Sequence, residues 1–188
     1  MRKLDFKPAL TLALITVIIT TLLVIMDRSM QTDVNELSGN LKDKCVELMG
    51  DGDFDVISDF AGAGYDNMPK GVKKLIVNTD NGSTAFQVIT KGYSKDGVNL
   101  LIVMNSDASA KSIAVVELTE TTGIGTKVND KNFLDEFIGR KDVKIVKTPA
   151  QNDNEIMGIT GATKSSKGVA DAVNIASEAY GIIFGEAD

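Results

Sequence analysis

Two β-rich runs, Val72–Thr79 and Thr84–Thr90, stand on either side of Asp80-Asn81-Gly82-Ser83. Asn-Gly between such runs is the strongest short hairpin signal, because both residues tolerate the positive φ of a tight reversal. A hairpin fixes the register of an antiparallel pair and commits the chain to a sheet of that kind. Asn81-Gly82-Ser83 also has the form of a glycosylation sequon, but the turn accounts for the residues. A second pair, Val98–Met104 and Ile113–Thr119, flanks Asn105–Ser112. The spacing predicts an antiparallel meander of about four strands, with Val143–Lys147 as a candidate fifth. Thr126–Gly139 reads as loop and short helix, with Phe133 and Phe137 one turn apart. Val169, Val173, Ala176 and Tyr180 recur every three or four residues, which predicts a long helix from about Thr163 to Ile183. Strands first and a packed helix last make an α+β fold with an antiparallel sheet and packed helices.

Upstream of the sheet, Thr32–Met49 has helical periodicity, with Val34, Leu37, Leu41, Cys45 and Leu48 on one face. It reads as a stalk or as part of the domain. Asp51–Met68 is acidic and glycine-rich. It lacks the ligand spacing and closing Glu of an EF-hand, so it reads as a loop or irregular turn.

Pro8–Met26 carries no charge and is mostly Leu, Ile, Val, Ala and Thr, with Arg2, Lys3 and Lys7 before it. That length spans a hydrocarbon core. The basic end stays in the cytoplasm, so the run predicts a single-pass anchor in the cell membrane with the rest of the chain outside. The competing reading is a signal peptide. The run is long for an h-region and no clean small-x-small cleavage site follows it. Thr11, Thr16, Thr20 and Thr21 lie within the run. They are either a helix face that packs against partner helices in lipid or neutral filler. The expected organisation is residues 1–27 as cytoplasmic N-terminus and anchor, 28–70 as a helical or irregular linker, and 71–188 as the main domain.

The chemistry concentrates at Gly158-Ile-Thr-Gly-Ala-Thr163-Lys-Ser-Ser166, where a glycine turn delivers hydroxyls to a helix start. The first N–H groups of a helix are unpaired and the dipole is positive there, which suits an anion, phosphate above all. One reading is an N-cap by Thr163, Ser165 or Ser166, with nothing bound. A nucleotide P-loop is a second, but Thr163 replaces the second required glycine. With no His in the chain, Ser-His and Cys-His pairs, His-ligated metals and His-ligated haem are excluded. Cys45, the single cysteine, cannot hold an iron–sulfur cluster alone or pair within the chain. Any redox group must therefore come from outside the amino-acid set. No metal ligand set is expected. The net charge of −6 and the lack of a basic stripe argue against nucleic acid.

A third reading is a resemblance. Thr160-Gly161-Ala162-Thr163 resembles the S/T-G-A-T flavinylation motif of the G subunit of Rnf electron-transport complexes, shared with the C subunit of the sodium-translocating NADH:quinone oxidoreductase. Glu120-Thr121-Thr122-Gly123-Ile124-Gly125 resembles that family's E-T-P-G-L-G loop, with Thr122 in place of Pro. Gly92-Tyr93 with Asp96-Gly97 loosely resembles its G-Y-x-G segment, and Phe133-x-x-x-Phe137-x-Gly139 its F-x-G segment. The anchor fits as well. Met157 departs from the pattern, since an Asp usually stands six residues before the modified Thr.

The resemblance implies an extracytoplasmic FMN-binding domain, with FMN joined through its phosphate to Thr163 by a separate FAD:protein FMN transferase. Ser165, Ser166 and the helix-start N–H groups would hold the phosphate, and Lys164 would either add a neutralising charge or be solvated. The Glu120–Gly125 loop, including Thr121, Gly123 and Ile124, would pack beside the ring system, with Tyr93 stacking there. Thr160, Gly161 and Ala162 complete the implied site. The implied role is an electron-transfer subunit, not an enzyme by itself. It would act with integral-membrane and iron–sulfur subunits of an Rnf-type complex that couples ferredoxin–NAD electron transfer to ion translocation. The alternatives are a free-standing membrane-anchored flavin carrier outside any pump, and an exported domain without flavin.

Overall fold

A computed structural model of the chain describes Leu37, residues 39–120, Gly123 and residues 125–185. The expected anchor Pro8–Met26 lies outside the described residues. Among those described, no helix is long and apolar enough to cross a membrane.

The predicted meander forms as β2 (Val72–Asn78), β3 (Thr84–Thr90), β4 (Val98–Met104) and β5 (Ala110–Leu118), each antiparallel to the next. The hairpin turn is anchored by Asn78, which is fully buried. Its Oδ1 accepts from the N–H groups of Asp80 and Asn81 at 3.0 and 3.2 Å. Asn81 Nδ2 donates to Met49 O at 2.7 Å, so the side chain that forms the sequon also holds the turn to the preceding helix.

Two expectations about the sheet are corrected. The fifth strand is β1 (Phe54–Ile57), paired antiparallel with β2 at the edge and drawn from the stretch expected to be loop. Phe54 and Val56 pack into an apolar cluster while Asp55 is exposed. This is the period-2 alternation of a strand within an acidic, glycine-rich context. The candidate strand at Val143–Lys147 does form, as β6 (Lys144–Val146), but it pairs parallel with β7 (Glu155–Met157) in a separate two-stranded sheet. Two sets of bonds keep it off the meander. Gly139 and Arg140 exchange backbone bonds with Ala110 at the start of β5, and Asn174 holds Val143 by its N–H and its carbonyl.

Both faces of the sheet are covered, which explains why β4 is buried at all seven positions rather than alternately. Leu100 and Ile102 join Phe86 and Val88 against α3 (Thr163–Phe184), which presents Val169, Val173 and Ala176. Leu101 and Val103 face the other way, with Ile76 and Ala85, against α1 (Gly39–Met49). α1 buries Leu41, Cys45 and Met49, four residues apart, so it is packed onto the sheet. Between the strands and α3, a 3-10 turn (Gly125–Asn129) and a short α2 (Lys131–Asp135) bring Phe133 edge-on to Phe137 at 5.3 Å. The fold is therefore a mixed α+β unit with an antiparallel sheet.

Cys45 is fully buried in the α1 cluster. Burial pushes its thiol up to about 11, against a smaller opposing effect of the Lys74 charge. A thiol is nucleophilic only as thiolate. Iodoacetamide at pH 8 is therefore expected to leave the folded protein unmodified and to alkylate Cys45 once urea unfolds it. Rapid labelling of the native protein would contradict this packing.

Candidate functional site

α3 begins without a side-chain cap. Its N-cap is Ala162, and no side chain bonds to the first-turn N–H groups from that position. The turn before it is closed by Ala162 N–H donating to Ile159 O at 2.9 Å, with Gly161 at φ 84, a conformation suited to glycine. The serines are engaged inward. Ser166 Oγ donates to Ala162 O at 3.0 Å and accepts from Ile159 N–H at 3.1 Å. Ser165 Oγ donates to Glu120 Oε2 at 2.9 Å. The residues expected to cap the helix or hold phosphate thus shape the turn, and both serines are buried. Thr163 is part-exposed and opens the helix.

Glu120 ties three segments together. Its Oε1 accepts from the backbone N–H groups of Tyr93 and Ser94 at 2.8 and 3.3 Å, and its Oε2 takes Ser165. Two glycines leave room for it. A Cβ on Gly92 would lie 1.9 Å from Glu120 Oε1, and one on Gly125 would lie 2.7 Å from Glu120 Cβ. Ser94, which sequence reasoning missed, also accepts from Gly97 N–H at 3.1 Å through its hydroxyl. No motif marks it. Gly97 itself has φ 74, and a Cβ there would meet Thr90 O at 2.0 Å, so this is the glycine that the β3–β4 turn requires. Thr90 Oγ1 in turn donates to Gly168 O at 2.7 Å, fixing the first turns of α3 to the end of β3.

The result is a cavity of about 420 Å³ walled by the helix start at residues 161–165 together with Tyr93, Glu120 and Gly125. Small-molecule sites run from roughly 300 to 1,000 Å³. Tyr93 is 68% exposed, and Lys164 Nζ lies 5.5 Å from its ring centroid. An aromatic face, a cation and an uncapped helix start therefore share one wall, a combination that suits a flat ligand bearing a phosphate. Of the residues singled out from sequence, Tyr93, Glu120, Gly125, Gly161, Ala162, Thr163 and Ser165 meet at this cavity. Thr160 and Gly123 are exposed and Ser166 lies beneath the turn. Thr121 and Ile124 lie outside the described residues. Met157 is 52% exposed at the end of β7. The nearby Glu155 carboxyl is turned onto Gln151 N–H and the Asn152 amide, which hold it below its ordinary value.

Gly92→Ala is expected to push Glu120 off its donors, leaving buried polar groups unpaired at a cost of about 1–3 kcal/mol. The urea midpoint should fall with an unchanged m-value. An unchanged midpoint would show that Glu120 does not fasten these segments.

Comparisons with known proteins show what the chain is similar to. The model of the FMN-binding domain family matches residues 92–178. The G subunit of the Na(+)-translocating ferredoxin:NAD(+) oxidoreductase complex of Acetobacterium woodii is 28% identical over 120 residues, covering 60% of this chain and 57% of that one. The G subunit of the proton-translocating ferredoxin:NAD(+) oxidoreductase complex of Clostridium ljungdahlii is 31% identical over 90 residues, covering 47% and 48%. The chain thus spans about half the length of the curated relatives it matches. The crystal structure of the C subunit of Na(+)-translocating NADH-quinone reductase from Parabacteroides distasonis superposes with a TM-score of 0.53 over 82% of this chain and 88% of that one, at 19% identity. At that identity the likeness shows the fold alone. The stretch that resembles the FMN-binding domain family, residues 92–178, runs from the Gly92–Tyr93 turn through most of α3.

Proposed function

We propose that this chain is an electron-transfer subunit of an Rnf-type complex and carries FMN covalently on Thr163. The observation that supports it best is the position of Thr163: part-exposed, first in an uncapped helix, and in the wall of the cavity that also holds Tyr93 and Lys164. FMN, when bound, supplies one- and two-electron redox chemistry that no side chain here can supply.

The chain's own residues do the rest. Thr163 Oγ1 is the acceptor. With no His in the chain to serve as base, attachment needs a separate FAD:protein FMN transferase. In that step a bond forms between Thr163 Oγ1 and the phosphorus of the FMN half of FAD. The pyrophosphate bond breaks, AMP leaves, and the hydroxyl proton is released. The first-turn N–H groups of α3 and the Lys164 ammonium neutralise the phosphate charge. Tyr93 offers a stacking face, and Gly125 and Gly161 line the same wall. Ser165, Ser166 and Glu120 hold the wall in shape. A covalent tether prevents loss of the cofactor in either redox state, which matters outside the cytoplasm, where there is no concentrated pool.

In the same reading, residues 1–27 anchor the chain in the cell membrane with the FMN domain on the outer side. Its partners are the integral-membrane and iron–sulfur subunits that couple ferredoxin–NAD electron transfer to ion translocation. Two results test this. The full chain made in cells with an active transferase should be yellow and heavier by FMN minus one water. Extraction in mild detergent should bring integral-membrane subunits with it. A colourless protein of unmodified mass would refute the flavin assignment. A yellow protein that purifies alone would favour a free-standing carrier.

A further inference from the structure

Glu120 is the only buried charged side chain among the described residues, 6% exposed. Burying a carboxylate is costly unless its charge is well solvated by partners. Here the partners are two backbone N–H groups and one hydroxyl, all neutral and all donating, which is the surrounding of an ionised carboxylate. Lys164, the cation of the same cavity, forms no ion pair with it and lies over Tyr93 instead. A fixed negative charge therefore stands in the cavity wall, hydrogen-bonded but not neutralised.

We propose that Glu120 sets the reduction potential of the flavin, holding it low, in addition to fastening the site together. This rests on the reading that FMN occupies this cavity. Reduction adds negative charge to the bound group, and a nearby anion in a partly water-excluded wall raises the energy of the reduced form more than that of the oxidised form. Charge placed near a flavin is one of the means by which a protein tunes its electronics. Geometry and charge can be separated here. A hydroxyl accepts as well as donates. A glutamine at this position can therefore keep its carbonyl oxygen on Tyr93 and Ser94 N–H and turn its amide NH2 to Ser165 Oγ. Glu120→Gln removes the charge and keeps the three bonds.

The test uses the full chain made with the transferase, as wild type, Glu120→Gln and Ser165→Ala. The readouts are intact mass, the flavin midpoint potential by spectroelectrochemistry, and the melting temperature of flavin-free protein. The expected result is FMN on all three, a melting temperature for Glu120→Gln close to wild type, and a raised potential in Glu120→Gln. A tenfold shift in the one-electron equilibrium, about 59 mV, is the expected scale. Ser165→Ala keeps the charge and removes one neutral donor, so its potential should not rise. FMN-loaded Glu120→Gln at the wild-type potential would overturn the proposal, as would a rise in both variants. Failure of Glu120→Gln to fold or load would also overturn it, because the three bonds would not have survived. A wild type without FMN would instead overturn the assignment of the cavity, and the proposal with it.

Discussion

Thr163→Ala is expected to abolish covalent FMN while leaving the fold intact. Thr163 is the first residue of α3, but it does not cap it; Ala162 occupies the N-cap and no side-chain cap bond is made. Removing a capping Thr costs about 1 kcal/mol. Removing a hydroxyl with no such role, in favour of the best helix former, should change stability by less than about 0.5 kcal/mol. Loss of colour therefore reports loss of the acceptor oxygen, not unfolding. The measurement is intact mass and visible absorbance beside a thermal melt. Thr163→Ser, which keeps a hydroxyl at the same place, should retain part of the flavin. A Thr163→Ala protein that is still modified would move the tether elsewhere. Thr160, exposed three residues earlier, would be the first candidate.

The second large effect is structural. Phe86 is fully buried on β3, the middle strand of the five, and packs in the cluster that joins the sheet to α3. Phe86→Ala should cost about 3–5 kcal/mol, from lost transfer energy and the cavity left behind. At roughly 2–4 °C per kcal/mol for a chain of this size, the melting temperature should fall by roughly 6–20 °C. α3 carries Thr163 at its start and Val169 and Val173 in this cluster, so the same substitution should reduce flavin loading at growth temperature. A melting temperature within a degree or two of wild type would show that the sheet–helix interface is not the main core.

The four-strand meander and the last helix were legible because each carries a local signal: Asn81-Gly82 at the turn, apolar runs of strand length, and helical spacing from Val169 to Tyr180. β1 was not, because Asp and Gly dominate its window and hide the two apolar residues, Phe54 and Val56, that place it. Nor was the pairing of β6 with β7, which depends on long-range bonds from Asn174 and Arg140 that no local window contains. At the site, the motif residues were visible but their division of labour was not. The family resemblance implied Ser165 and the Glu120 loop beside the ligand, and both residues line the cavity. The structure bonds them to each other, with Gly92 and Gly125 making the space. A glycine selected to accommodate a distant carboxylate looks, in sequence, like any turn glycine.

The most direct test of the covalent assignment is peptide mass spectrometry. Trypsin cutting after Lys147 and Lys164 releases residues 148–164, which contain both Thr160 and Thr163. From protein matured with the transferase, this peptide should carry FMN minus one water, and its fragments should place that mass on Thr163 and not on Thr160. The unmodified peptide as the sole form, in protein from cells that flavinylate other targets, would contradict the account.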